Sequence, residues 1–297
     1  MPKGQNAPLW TFATGLNQHG RDMSEQSSDY IHGSSEEERA RLSLLNDILN
    51  MACLQKLNPQ PGERVIDFGS GLGQFSRQIA RRVGPDGSVT GIERDAKLIA
   101  EAKNFAKQAG EAGLVDFRQG DAAESAPPQD RGKFDLAYAR FLLEHVPDAA
   151  AVIKRMVQSV RPGGRVVVID DDHDNFRPWP EPPGFDALWR AYVQSFERLG
   201  SDPFVGRKLV GLLQQAGLSN LRNDYVFFGG CAGDDRFLAT IDNLIGAFKG
   251  AKTAMLASDD LDEAGFASAM AALEDWKTQP SSALWYAASY AEGRVPS

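Results

Sequence analysis

Short apolar runs and amphipathic stretches alternate along the middle of the chain, and the alternation predicts its elements. Strands are expected over 63–68, 88–93, 114–119, 134–139 and 164–170, with helices over 73–83, 95–109 and 148–160 between them. The last of these strands carries Val166-Val167-Val168-Ile169, apolar on successive positions, so both of its faces are expected to be buried. Such alternation predicts a mostly parallel sheet with helices on both faces. Upstream, Ser34 and Ser35 precede Glu36-Glu37-Glu38 as overlapping capping boxes, and Leu42, Leu45, Ile48, Leu49 and Met51 follow at helical spacing, giving a helix from about 35 to 56. Residues 1–28 mix Gly, Asn, Gln and Ser with few apolar positions and read as a flexible N-terminal arm ahead of a single domain over 29–297.

The pattern changes after Asp170. A proline-rich loop over 172–184 leads to an amphipathic helix from Phe185 to Leu199 bearing Leu188, Trp189, Tyr192 and Phe196, and a further helix covers about 205–216. This stretch, about 172–217, is expected to be a helical lid insertion. A strand near 221–229, a C-terminal helical segment at about 233–279 and a final strand from Ala283 to Ser289 complete the reading.

The first strand runs into Val65-Ile66-Asp67-Phe68-Gly69-Ser70-Gly71-Leu72-Gly73-Gln74, where glycines permit left-handed backbone and close approach of N–H groups to a ligand at a helix start. A dinucleotide fingerprint needs glycine at position 74, which is Gln, and Asp67 would repel a phosphate. A nicotinamide dehydrogenase is therefore disfavoured. S-Adenosylmethionine (SAM) suits the turn better, because its cationic centres tolerate a carboxylate and its own carboxylate can use the helix-start N–H groups. Glu93, ending the second strand, can accept from both ribose hydroxyls; a helix-capping or solvent-facing acid is the alternative. Asp121 in Gln119-Gly120-Asp121-Ala122 can accept from an adenine amino group while a neighbouring N–H donates to the ring, or it can be a plain Gly-Asp turn.

These residues, with Phe134-Asp135, Glu144-His145-Val146-Pro147-Asp148 and the Arg161-Pro162-Gly163-Gly164 turn, resemble the class I SAM-dependent methyltransferases, small-molecule enzymes in particular. The resemblance covers about 65–170. It implies a Rossmann-like α/β fold with a seven-stranded, mostly parallel sheet whose last strand is antiparallel. It places Asp67, Gly69, Ser70, Gly71 and Gly73 at the methionine and ribose, Glu93 and Arg94 at the ribose, and Asp121 and Ala122 at the adenine. Arg140 at the end of the fourth strand faces the cofactor or pairs with an acid, and Tyr30 in Tyr30-Ile31-His32-Gly33 folds over the methionine end.

The expected activity is in-line methyl transfer from SAM to a small organic acceptor, at O, N or C, leaving S-adenosylhomocysteine (SAH). Positioning supplies most of the acceleration, and a general base adds to it where the acceptor must lose a proton. His145 and His173 are weak candidates for that base, and Phe176 and Trp179, on the loop past the fifth strand, are the expected acceptor contacts. Asp170-Asp171-Asp172-His173-Asp174 suggests a divalent cation, but successive residues at a strand end point to opposite sides, so no metal is predicted.

Charge and composition narrow the partners. A net charge of -8 opposes a broad nucleic-acid footprint, and Ala139-Arg140-Phe141 replaces the Asn/Asp-Pro-Pro-aromatic signature that grips a base amine, so no nucleic-acid partner is expected. A SAM-binding protein without methyl transfer is the other alternative. Cys53 and Cys231 lack the spacing of a zinc site or disulfide framework. No apolar run approaches the ~18 residues of a membrane span and the start lacks a signal-peptide core, so the expectation is a cytoplasmic enzyme with no membrane partner. Nothing in the chain sets its oligomeric state.

Overall fold

A computed structural model describes residues 49–257 and 260–297. The expected arm over 1–28, Tyr30 and most of the first helix lie outside the described residues. The description opens inside helix α1, residues 49–57, and continues through β1 (Arg64–Phe68), α2 (Gln74–Val83), β2 (Ser88–Glu93), α3 (Ala96–Gln108), β3 (Val115–Gln119), β4 (Phe134–Arg140), α4 (Ala149–Ser159) and β5 (Val160–Asp170). Then come β6 (Arg177–Trp179), α5 (Phe185–Arg198), α6 (Leu209–Gln215), β7 (Ser219–Phe227), β8 (Gly230–Cys231), α7 (Asp235–Met255), α8 (Glu263–Trp276), β9 (Ala283–Trp285) and β10 (Ala287–Arg294).

The large sheet has the order β3-β2-β1-β4-β5-β10-β7. Strands β1 to β5 pair in parallel, and β10 pairs antiparallel with both β5 and β7, as the class I resemblance implies. Its centre is dry: Val65, Ile66 and Phe68, Leu136 to Ala139, and Val166 to Ile169 are fully buried. Each such Val, Ile or Leu contributes roughly 1.5–3 kcal/mol relative to an exposed side chain, which is why these strands read as continuous apolar runs. The Arg161–Gly164 turn lies inside β5 as a bulge, where the pairing steps from Phe134↔Val160 to Leu136↔Arg165 and Gly163 adopts φ 76°. The final strand is longer than its sequence suggests: β9 stops at Trp285 and β10 carries on to Arg294, with Glu292 buried and its carboxylate accepting from Tyr290 Oη (2.6 Å).

Contacts divide the chain into two units. The sheet unit comprises Asn50–Arg177, Phe196–Phe228 and Trp285–Ser297, and the helical unit takes Pro178–Ser195 and Gly229–Leu284. This departs from the expected lid over 172–217. Val205, Leu209 and Leu213 are buried with Val166, Val168 and Ala291 in the sheet core, so α6 is scaffold. Within the helical unit, Trp189 and Tyr192 of α5 pack edge-on against Phe248 of α7 (ring centroids 6.1 and 5.0 Å). No helix among the described residues is long and apolar enough to cross a membrane.

Candidate cofactor and acceptor site

The turn after β1 is built as its glycines require. Gly69, Gly71 and Gly73 have φ of 74°, 52° and 69°, in the left-handed region that side chains with a Cβ avoid. Gly73 caps α2, and Gly69 and Ser70 N–H donate to the Ile92 carbonyl (2.8 and 3.0 Å), which ties the turn to β2. Among the described residues, a Cβ on Gly71 would meet nothing within 4 Å, and Ser70 Oγ is buried with no hydrogen-bond partner. Open space beside Gly71 and an unused hydroxyl next to it are what a bound ligand would fill, so this turn fits SAM.

Glu93 faces the same turn. Its Oε2 accepts from Gly71 N–H (3.1 Å) and its Oε1 from Arg94 and Asp95 N–H (2.8 and 3.0 Å). Both readings of Glu93 thus meet: it caps local backbone and also sits at the glycine turn. The exposed Arg94 contributes backbone, its carbonyl accepting from Gln119 Nε2 (3.0 Å). Asp121 is exposed and accepts from Ala123 N–H (2.8 Å) in a Gly-Asp turn, with Ala122 half-buried between them.

Asp67 is buried under the turn. Burial pushes its carboxyl up to about 6, while the Ser76 hydroxyl donated to Oδ2 (2.5 Å) and the nearby Arg140 pull it down. Arg140 lies with its guanidinium over the Phe75 ring (4.4 Å) and donates through Nη2 to Asn50 Oδ1 (2.8 Å). Burial works against its charge, yet Cys53, Tyr138 and Asp67 hold its pKa above the ordinary range. It is a fixed cation beside the acid, and its Nη1 is buried without a hydrogen-bond partner among the described residues. Beyond it Phe141 has φ 50°, a left-handed aromatic residue, and such strain gathers where structure over-determines a functional loop.

The two histidines do not stand ready as bases. Both Nε2 atoms bind one buried carboxylate, His145 to Glu144 Oε1 (3.1 Å) and His173 to Glu144 Oε2 (3.2 Å), and Phe196 covers both rings (5.9 and 4.9 Å). Burial would lower the two imidazole pKa values, but Glu144 holds both above the ordinary range and is itself held well below the usual carboxylate range. An imidazole whose Nε2 is committed to a buried carboxylate that favours its charged form is a poor proton acceptor at that atom.

The acidic run separates as strand geometry requires. Asp170 Oδ2 accepts from Leu142 and Leu143 N–H (3.1 and 2.7 Å), Asp171 Oδ1 accepts from Tyr286 Oη (2.7 Å), and Asp172 pairs with Arg207. The expectation that few of these groups converge is nonetheless incomplete: Glu144, Asp171 and His173 bring one donor atom each within 4.8 Å of one another. Phe176 is buried against Tyr286 (5.4 Å), which touches Phe228 (5.6 Å), which touches Phe141 (6.4 Å). Trp179 belongs to the helical unit and is 68% exposed. Tyr286, Phe228 and Asn50 were not visible as site residues, since nothing in their own neighbourhoods marks them.

Fold and turn together define an open α/β domain with a glycine turn at the carboxyl ends of its strands, the place where such sheets take their ligands. Residues 59–195 match a family described as a methyltransferase domain. A 2-phytyl-1,4-naphtoquinone methyltransferase of Synechococcus elongatus is 33% identical over 111 residues, 37% of this chain and 47% of its own length. A demethylmenaquinone methyltransferase of Listeria welshimeri is 24% identical over 237 residues, 72% of this chain and 98% of its own. The chain thus spans about half the length of the first curated relatives it matches. Among solved structures, geranyl diphosphate C-methyltransferase from Streptomyces coelicolor, determined with Mg2+, geranyl diphosphate and SAH, shares the fold with a TM-score of 0.54 at 15% identity, over 90% of this chain and 86% of that one. Over residues 59–195 the chain is thus similar to methyltransferase domains, in line with the sheet order and the glycine turn described above.

Proposed function

We propose that this chain transfers the methyl group of SAM to a small, largely apolar acceptor carrying an aromatic ring. The observation that carries the reading is the glycine turn, with open space at Gly71 and the Glu93 carboxylate across from it. Bound SAM supplies an electrophilic methyl group on a sulfonium. The chain's own part is to hold and orient: Gly69 to Gly73 with Ser70 and Asp67 at the amino-acid and ribose portion, Glu93 at the ribose, Asp121 and Ala122 at the adenine. Arg140 fixes Asp67 as an anion beside the cationic ligand. The row Phe141, Phe228, Tyr286 and Phe176 supports an aromatic acceptor, as do the names of the two quinone-methylating relatives. A net charge of -8 supports a reading without a nucleic-acid partner, and the same reading places the enzyme in the cytoplasm.

Calorimetry with SAH tests the cofactor half. Hydrogen bonds to a charged group contribute roughly 1.5–3 kcal/mol, so Glu93→Ala is expected to weaken SAH about 10- to 150-fold. A loss under threefold would remove Glu93 from the site. The transfer half is tested by release of SAH from SAM with reduced 1,4-naphthoquinone as acceptor; no release with this or other hydroxyarenes would leave a SAM-binding protein of another kind.

A further inference from the structure

Four buried carboxylates cluster at the carboxyl ends of β4 and β5, and three of them have their oxygens engaged. Asp170 caps the turn at Leu142 and Leu143, Asp172 holds Arg207 and the Asp174 N–H, and Glu144 holds two imidazoles. Asp171 differs. It is 1% exposed, its Oδ1 accepts a hydrogen bond from the Tyr286 hydroxyl at 2.7 Å, and its Oδ2 is buried with no hydrogen-bond partner among the described residues. A buried oxygen left without a donor is costly, and native structures keep one where a ligand supplies the donor.

Its position in the fold says which ligand. Open α/β sheets bind nucleosides where the strand order reverses, here between β1 and β4, and Asp171 directly follows β5, the next strand over. The Tyr286 ring that anchors Asp171 lies tilted against Phe176 and Phe228, so the carboxylate stands at the polar end of an aromatic cluster. A ring bearing a hydroxyl matches both parts. We propose that Asp171, positioned by Tyr286, receives the hydroxyl proton of the acceptor, which is therefore a hydroxyarene or its enol equivalent. The proposal rests on the methyltransferase reading. As the acceptor's O–H proton moves to Asp171 Oδ2, the oxygen or the ring carbon activated by it bonds to the methyl carbon. The C–S bond breaks with its electron pair going to sulfur, which loses its positive charge; where a ring carbon is methylated, its C–H proton then leaves to water while Asp171 returns its proton to the ketone oxygen, restoring the hydroxyarene.

The groups facing Asp171 suit this work. Burial, the Glu144 carboxylate and Asp170 disfavour its charge, while His173, the Tyr286 hydroxyl and His145 favour it, and the balance leaves the carboxyl raised to about 7. A base with that pKa works best near neutral pH. Tyr286 is a positioning residue: it fixes the carboxylate and stabilises its charged form.

The test uses the full chain saturated with SAH, titrated with 1-naphthol and, as a control lacking the proton, 1-methoxynaphthalene. Wild type is expected to prefer 1-naphthol, and Asp171→Asn to lose about tenfold or more of that preference while SAH affinity stays within about twofold. Tyr286→Phe is expected to move the pH midpoint of naphthol binding upward, a shift that a merely structural tyrosine would not cause. Equal preference in wild type and folded Asp171→Asn would overturn the proposal, as would no naphthol binding to the SAH complex. Should Asp171→Asn fail to fold, an unmoved pH midpoint in Tyr286→Phe would overturn it instead. Failure of wild type to bind SAH would strike the methyltransferase reading itself, and this inference with it.

Discussion

Gly73→Ala is expected to destabilise the protein by several kcal/mol, whereas Gly71→Ala, two residues earlier, is expected to keep the fold and lose the cofactor. Both glycines have left-handed φ, so each substitution carries a backbone cost of roughly 1–2 kcal/mol. The surroundings separate them. A Cβ at position 73 would stand 2.2 Å from Phe117 Cζ and 2.5 Å from its Cε1, and Phe117 is buried in β3. Overpacking of that kind adds about 1–3 kcal/mol, a large part of the ~5–15 kcal/mol that holds a typical domain. At position 71 the methyl enters open space. If that space receives SAM, SAH affinity falls about tenfold or more with only a modest shift in the urea midpoint. Unchanged SAH affinity in folded Gly71→Ala would make the turn scaffold.

Legibility in the sequence followed the range of the interactions. The glycine turn, Glu93 and Asp121 are local devices, each set by residues within a turn of one strand end, and periodicity alone marks β1, β2, β4 and β5 because their side chains are buried on both faces. β7, Ser-Asn-Leu-Arg-Asn-Asp-Tyr-Val-Phe, lies at the sheet edge with most positions exposed and shows no clean alternation. β10 hides a charge: Glu292 is buried beside Tyr290 and near Arg165, a partner far away in sequence. The acid–imidazole cluster was illegible for the same reason. Glu144 and His173 are 29 residues apart and Asp171 and Tyr286 are 115 apart, so the two acidic motifs and the tyrosine gave no sign that they meet. α6 shows the converse limit, since an amphipathic helix reveals that it has an apolar face and not which surface receives it.

The same cluster should make the protein more stable at mildly acidic than at alkaline pH. Asp170 is fully buried, and burial together with the Glu144 carboxylate raises its pKa to about 8; Asp171 is raised to about 7 by the same two causes. Unfolded, each titrates near ~3.9. Between that value and its folded pKa the native state holds a proton that the unfolded chain has released, so stability declines as pH rises, by about 1.4 kcal/mol per pH unit for each such group. His145 and His173, raised by Glu144 against the effect of burial, stabilise fully below ~6.5 and lose that contribution as pH rises through their folded pKa, steepening the decline. Glu144, held low by its two histidines, acts in the other direction: its contribution is present above ~4.3 and lost as pH falls below that. The melting temperature is therefore expected to peak at about pH 4 and to fall through pH 8, by roughly 2–4 °C for each kcal/mol lost. Asp170→Asn keeps an oxygen for the Leu142 and Leu143 N–H groups and removes the titration, so its profile should be shallower and cross above wild type at pH 8. A wild-type melting temperature that stays level or climbs between pH 5 and 8 would mean that Asp170 and Asp171 are ionised in the native state, with charge compensation beyond what the two histidines provide.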